Sequence, residues 1–195
     1  MRLKAKWIIL FGTVFVAAGL GLFVFTKISA SKLQKQTNEI LNKTKAAMPE
    51  LSVGSVDEYS LMQMRVIEII GEDIIGIIEF ENMNVTLPIG NNWNNEDEKF
   101  YPKRLGGTVY DNSLVIGGCD MKGQFEILKE IDQGYKITVT DMTGAQFRYE
   151  VKDIIRKKSA NADSFKEDNA DLSLFVKDSQ SSDFIIVRCL NVNSN

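Results

Sequence analysis

The chain carries two thiols, Cys119 and Cys189, and no histidine anywhere in its 195 residues. Without an imidazole there is no Ser-His-Asp triad, no Cys-His pair and no histidine-ligated zinc. Two cysteines seventy residues apart cannot make a four-cysteine site either, so neither a metal nor a cofactor is expected. An enzyme built from this sequence has to work with carboxylates, lysine, tyrosine or a thiol deprived of its usual base. Lys177 has Ser173 and Ser179 near it in sequence, but a lysine beside a polar loop reads first as a surface cation. Gly117-Gly118 lacks the third glycine and the long following helix of a phosphate cradle. The acidic clusters Glu96-Asp97-Glu98 and Glu167-Asp168 lack the alternation of a calcium-binding loop and read as solvated loop. Asn42-Lys43-Thr44 and Asn84-Val85-Thr86 match a glycosylation pattern that arises often by chance.

The elements that would position such groups are strands. From Val66 onward, short β-branched or aromatic runs recur between Gly, Asn, Asp and Pro: VIEII, IIGIIEF, VTLPI, SLVIGG, YKITVT, QFRYEVKDII, LSLFV and FIIVR. Asp141 to Gly144 reads as a hairpin turn, with Gly144 supplying positive φ. One helical stretch is expected around Gln124–Ile131, where Phe125, Leu128 and Ile131 recur at helical spacing. Asn91–Lys99 and Asn161–Asn169 read as polar loops. Eight strands with one or two short helices predict a mainly β fold, a closed or nearly closed barrel.

A composition of 44% apolar and 25% charged residues suits one globular domain with a real core and excludes collagen-like and wholly disordered chains. Residues 1–50 hold eight Lys/Arg and two Asp/Glu, leaving 23 − 8 = 15 basic against 26 − 2 = 24 acidic residues in the rest. The body is thus nine charges negative and lacks a basic stripe, so nucleic-acid binding is not expected.

Trp7–Phe25 is nineteen residues without a charge, long enough as a helix to span roughly 28 Å of hydrocarbon. It reads as an uncleaved anchor in preference to a cleaved signal, because Ile28-Ser29-Ala30 is a poor cleavage site. Arg2, Lys4 and Lys6 before it are balanced by Lys27, Lys32 and Lys35 after it. The free amino terminus and the acidic body favour an inside N-terminus and an outside body. Ser31–Met48 is rich in helix formers and stopped by Pro49; with Leu33, Ile40, Leu41 and Met48 as a thin apolar stripe, it reads as a stalk.

The order of segments resembles a sortase, the membrane-anchored cysteine transpeptidase of Gram-positive bacteria. The resemblance covers about Val66 to Asn195. IIGIIEFENMNVTLPIG is similar to the opening strands of that family. YDNSLVIGGCDMKGQFEILKEIDQGYKITVTD is similar to its stretch of N-x-V-I-A-G-H-N, a Phe-x-x-L helix and a G-D-x-I strand. ADLSLFV and FIIVRC are similar to its final pair of strands.

The resemblance implies a closed barrel of about eight strands with short helices, preceded by one transmembrane helix. The implied layout is a cytoplasmic tip over 1–6, an anchor over 7–25, a helical stalk or linker over 26–60 and the barrel over 61–195. It implies a single-pass protein of the cell membrane with its C-terminal domain outside. Sortases use a histidine after the V-I-A-G strand, a cysteine ending the T-L-x-T-C strand and an arginine opening the last strand. Position by position, these fall on Cys119, Lys177 and Phe184, so all three are replaced. An alternative alignment keeps a thiol, with Ile185–Cys189 as the nucleophile strand. Only six residues then follow Cys189, too few for the strand that carries the arginine.

A lysine is protonated near neutral pH and makes no good acyl leaving group. A phenylalanine donates nothing to an oxyanion, where losing one donor alone costs on the order of 10²–10³ in rate. The expectation is therefore an inactive sortase-like domain that binds a peptide or envelope protein in the former substrate cleft, near Trp93 and Asn161–Asn169. The alternatives are an active transpeptidase using Cys119 or Cys189 and a structural envelope protein whose cleft has closed. The resemblance also implies two separate thiols. Cys119 falls at the site's rim, and Cys189 lies five residues beyond Phe184, roughly 16 Å along a strand and beyond disulfide reach.

Overall fold

The computed structural model describes residues 19–20, 31–48, 63–93, 101–159, 162–165 and 170–192. The chain divides into two compact units, Met1–Gln36 and Thr37–Asn195. In the first, the described residues 19–20 and 31–36 are helical. The expected anchor over 7–25 lies outside the described residues apart from Gly19 and Leu20. Among the described residues no helix is long and apolar enough to cross a membrane.

Helix α1 runs over 31–47. In the second unit its residues Thr37, Ile40 and Thr44 are buried, a spacing of three and four that marks one helix face. Ile40 packs with Ile69, Ile74, Tyr101 and Met142, and Gln124 Nε2 donates to Thr37 Oγ1 at 3.2 Å. Thr44 donates back to the Ile40 carbonyl at 2.8 Å, which spares its hydroxyl an unmet hydrogen bond. Within the stretch expected as stalk, 37–47 thus lies against the strands.

Nine strands follow: β1 (Ile67–Ile69), β2 (Glu72–Phe80), β3 (Val85–Gly90), β4 (Lys103–Gly106), β5 (Leu114–Gly118), β6 (Lys136–Asp141), β7 (Gln146–Lys157), β8 (Leu172–Lys177) and β9 (Phe184–Asn191). Their order is β1-β2-β3-β4-β5-β8-β9-β7-β6, and β6 pairs back onto β2. That last pairing closes β2 to β9 into an eight-stranded barrel and leaves β1 as an appended edge. The barrel of about eight strands is therefore present with one change of membership. VIEII supplies the appended β1, and the barrel's own eighth strand is β4, whose KRLG has no alternation to announce it.

Alternate residues of the strands fill the interior. Ile78, Leu87, Leu114, Ile116, Ile137, Val139, Leu172, Leu174, Val176, Ile185 and Val187 are all buried in one core cluster. Where β2 meets β6, a Cβ on Gly76 would stand 2.3 Å from the Thr140 carbonyl, so only glycine lets these strands close the ring. The Asp141 turn is as expected: Gly144 has φ of 87°, and Asp141 Oδ1 accepts from Thr143 N, Thr143 Oγ1 and Ala145 N. The helix expected over Gln124–Ile131 is a shorter 3-10 helix, Phe125–Lys129. Phe125, Leu128 and Ile131 are spaced by three, which fits the three-residue turn of that helix better than 3.6.

Candidate functional site

The outward faces of β5, β8 and β9 form the candidate site. Gly118 pairs with Val176, so Cys119 follows β5 one step beyond that rung and Lys177 ends β8 at the same level. Lys177 pairs directly with Phe184, the first residue of β9, and its Nζ lies 5.8 Å from the Phe184 ring centroid. The structure thus brings Cys119, Lys177 and Phe184 together at one end of the barrel. Cys189 lies elsewhere: it faces the core, fully buried. Burial and the nearby Asp153 carboxylate push its thiol up, away from the reactive thiolate. The alternative thiol is therefore enclosed. Neither cysteine is in a disulfide.

Two rungs of the same face continue into a floor of side chains. Gly117 pairs with Phe175, and Phe175 with Ile186; Val115, Phe175 and Ile186 are all buried. What covers them comes from the two polar loops. Phe165, at the end of the short helix α2 (Ala162–Phe165), stacks on Phe175 with ring centroids 3.9 Å apart and planes 12° from parallel. It also meets Phe184 edge-on at 5.7 Å. Trp93 stands against the same Phe175 ring at 5.1 Å. A Cβ on Gly117 would come within 2.3 Å of Phe175 and 2.5 Å of Trp93, so the two rings occupy the space a side chain would need. Sequence reasoning placed the Asn161–Asn169 loop beside the cleft but missed Phe165 as its occupant. The available signal was a lone aromatic residue in a polar tract.

An ion-paired clasp holds the end of the barrel. Asp120 Oδ2 accepts from Lys129 Nζ at 2.6 Å, Ser179 N at 2.8 Å and Ser179 Oγ at 2.6 Å. Lys129 also reaches Asp178 Oδ1 at 3.0 Å, and Arg156 lies 3.7 Å from Asp178 Oδ2. Burial works against the charge on Asp120, but the Lys129 and Ser179 hydrogen bonds outweigh it and hold the carboxyl below its ordinary value. The Gln180 backbone N–H, with Lys129 and Ser181, brings Asp178 down to about 2. Lys129 is raised by the same pairs, against the opposing effect of its burial. The clasp ties the turn after β5 to the turn between β8 and β9, and its serine and lysine are engaged with carboxylates.

Chemically the rim offers a half-buried thiol, an ammonium and a phenyl ring, and no imidazole exists in the chain to act as base. Among the described residues no cluster of His, Cys, Asp and Glu could hold a metal ion.

No family model matches the chain, and no curated protein matches it in sequence. Solved structures do match in shape. A Clostridium perfringens sortase D5 transpeptidase aligns with a TM-score of 0.57 at 17% identity, over 83% of this chain and 99% of that one. C. perfringens sortase C with the C-terminal cell-wall sorting motif gives 0.54 at 17% identity, over 84% and 89%. The pilus-related sortase C of Group B Streptococcus gives 0.54 at 20% identity, over 82% and 93%. With its ring of eight strands closed between β2 and β6, the chain has the sortase fold.

Proposed function

We propose that this chain is a non-catalytic, sortase-fold domain of the cell envelope, tethered by residues 7–25, whose former substrate groove is filled by its own side chains. The observation that carries the reading is the cover over the groove floor, where Phe165 stacks on Phe175 at 3.9 Å directly beside Phe184. The three positions at the rim support it. Where a sortase has base, nucleophile and oxyanion donor, this chain has Cys119, Lys177 and Phe184. Such groups act as a unit, so losing all three leaves no turnover to recover.

Two silent roles compete, a peptide binder working through the groove and a structural envelope domain. The buried floor favours the structural domain. A peptide would have to lift Phe165 off Phe175 before meeting Val115 or Ile186.

The test incubates the full chain and its Phe165→Ala variant with sortase sorting-signal peptides and an amine acceptor, followed by mass spectrometry. Intact peptide and unmodified protein are expected from both chains. Cleavage, or an adduct on Cys119 that disappears in Cys119→Ser, would establish a working transpeptidase and overturn the reading. Peptide binding by the unaltered chain at the groove would restore the peptide-binding role.

A further inference from the structure

A second concavity, of about 690 Å³, opens between Trp93 and β4. It lies where the barrel's ring is thinnest, because β3 and β4 are joined by the single rung Gly90 to Lys103. Beyond that rung the Trp93 N–H donates to the Arg104 carbonyl at 2.8 Å, while the Asn91 and Gly107 carbonyls need other donors. Arg104 supplies them. Its Nε donates to the Asn91 carbonyl at 3.3 Å, its Nη1 to the Gly107 carbonyl at 3.4 Å, and its Nη2 to Asn91 Oδ1.

All three acceptors are neutral, and among the described residues no carboxylate pairs with Arg104. A guanidinium has five N–H groups. Three are used, which leaves 5 − 3 = 2, one on each terminal nitrogen. A pair of N–H groups on adjacent terminal nitrogens is the fork that receives the two oxygens of a carboxylate. The charge is held half-buried in a fixed pose, so little ordering remains to be done when an anion arrives. Val66, Trp93 and Leu105 line the same concavity and give it an apolar side, and Asn92 adds an amide. Its size is that of a small-ligand pocket.

We infer that this concavity binds the terminal carboxylate of a peptide whose last residue is apolar, with Arg104 gripping the carboxylate and Val66, Trp93 and Leu105 taking the side chain. The apolar side is what selects a peptide end over a bare anion. A phosphate ion would satisfy the fork and leave those three side chains untouched. The site is separate from the groove over Phe175, with Trp93 standing between the two, so a failed titration here leaves the reading of the groove as it was.

Trp93 reports on the site directly. The full chain in detergent, with Trp7→Phe to silence the other indole, is titrated with an acetylated tetrapeptide ending in leucine. The peptide is used as free acid and as C-terminal amide, with inorganic phosphate as a third arm. The expected result is a saturable change in Trp93 fluorescence with the acid, binding about tenfold or more weaker with the amide, and no comparable response to phosphate. Arg104→Lys keeps the charge but loses the fork, and is expected to weaken the acid while leaving the amide unchanged. Acid and amide binding equally, neither binding, or phosphate matching the acid would each overturn the inference. The comparison of acid with amide needs no substitution at Arg104 and so holds even if that variant misfolds.

Discussion

Cys119 and Cys189 have different surroundings. Cys119 sits half-buried at the rim beside the end of β8, whereas Cys189 is enclosed among Leu172, Val187 and Tyr149 in the barrel core. A thiol reagent at mildly alkaline pH should therefore modify one cysteine of the folded chain, Cys119. Cys189 should react only through global opening, slower by about 10³-fold or more. Mass spectrometry of the labelled chain, native and in denaturant, checks this. Equal labelling of both thiols in the native state would contradict the burial. The same logic explains Gly117. Its missing side chain is the space filled by the Phe175 and Trp93 rings, so the position that looked like half of a phosphate cradle is a packing requirement.

The clasp between the β5 and β8–β9 turns makes a pH prediction. Asp178 titrates in the folded chain at about 2, below the ordinary aspartate value of about 3.9. Its contribution to stability is therefore complete above the unfolded value and is lost as the pH falls through that range toward 2. The denaturant midpoint of the unaltered chain should drop steeply between about pH 4 and 2. Asp178→Asn should be less stable at neutral pH and should show a shallower acid slope. Equal slopes would mean that Asp178 takes no part. At this scale the sequence was informative wherever side chains alternate: β5, β8 and β9 are visible in SLVIGG, LSLFV and FIIVR, and so is the rim they build. It was silent on β4, because KRLG is held by hydrogen bonds to β5 and one rung to β3 and not by its own side-chain pattern. It was also silent on Arg104, whose partners are two carbonyls and an amide brought close only by the fold. Phe165 was visible as a residue but not as an occupant, since nothing local points a loop aromatic at the Phe175 ring of β8.

The whole barrel is a ring of unequal joints. β8 and β9 share six rungs, whereas β3 and β4 share one. Local opening should start at the weaker joint, so the amides of β4 should exchange with deuterium well before those of β8 and β9. Exchange followed by peptide-level mass spectrometry decides this, and simultaneous protection of both pairs would show that the ring opens only as a unit. The order of the strands carries a further consequence for how the ring is made. The last strand in sequence, β9, is not at an edge; it is inserted between β7 and β8. Until Phe184–Asn191 has emerged, both of those neighbours present bare backbone along one side. A chain synthesised from its N-terminus passes through an intermediate with two open edges, able to pair with other nascent chains. Its final strand acts as a zip fastener, and the interval before it closes is when this protein is most exposed to aggregation.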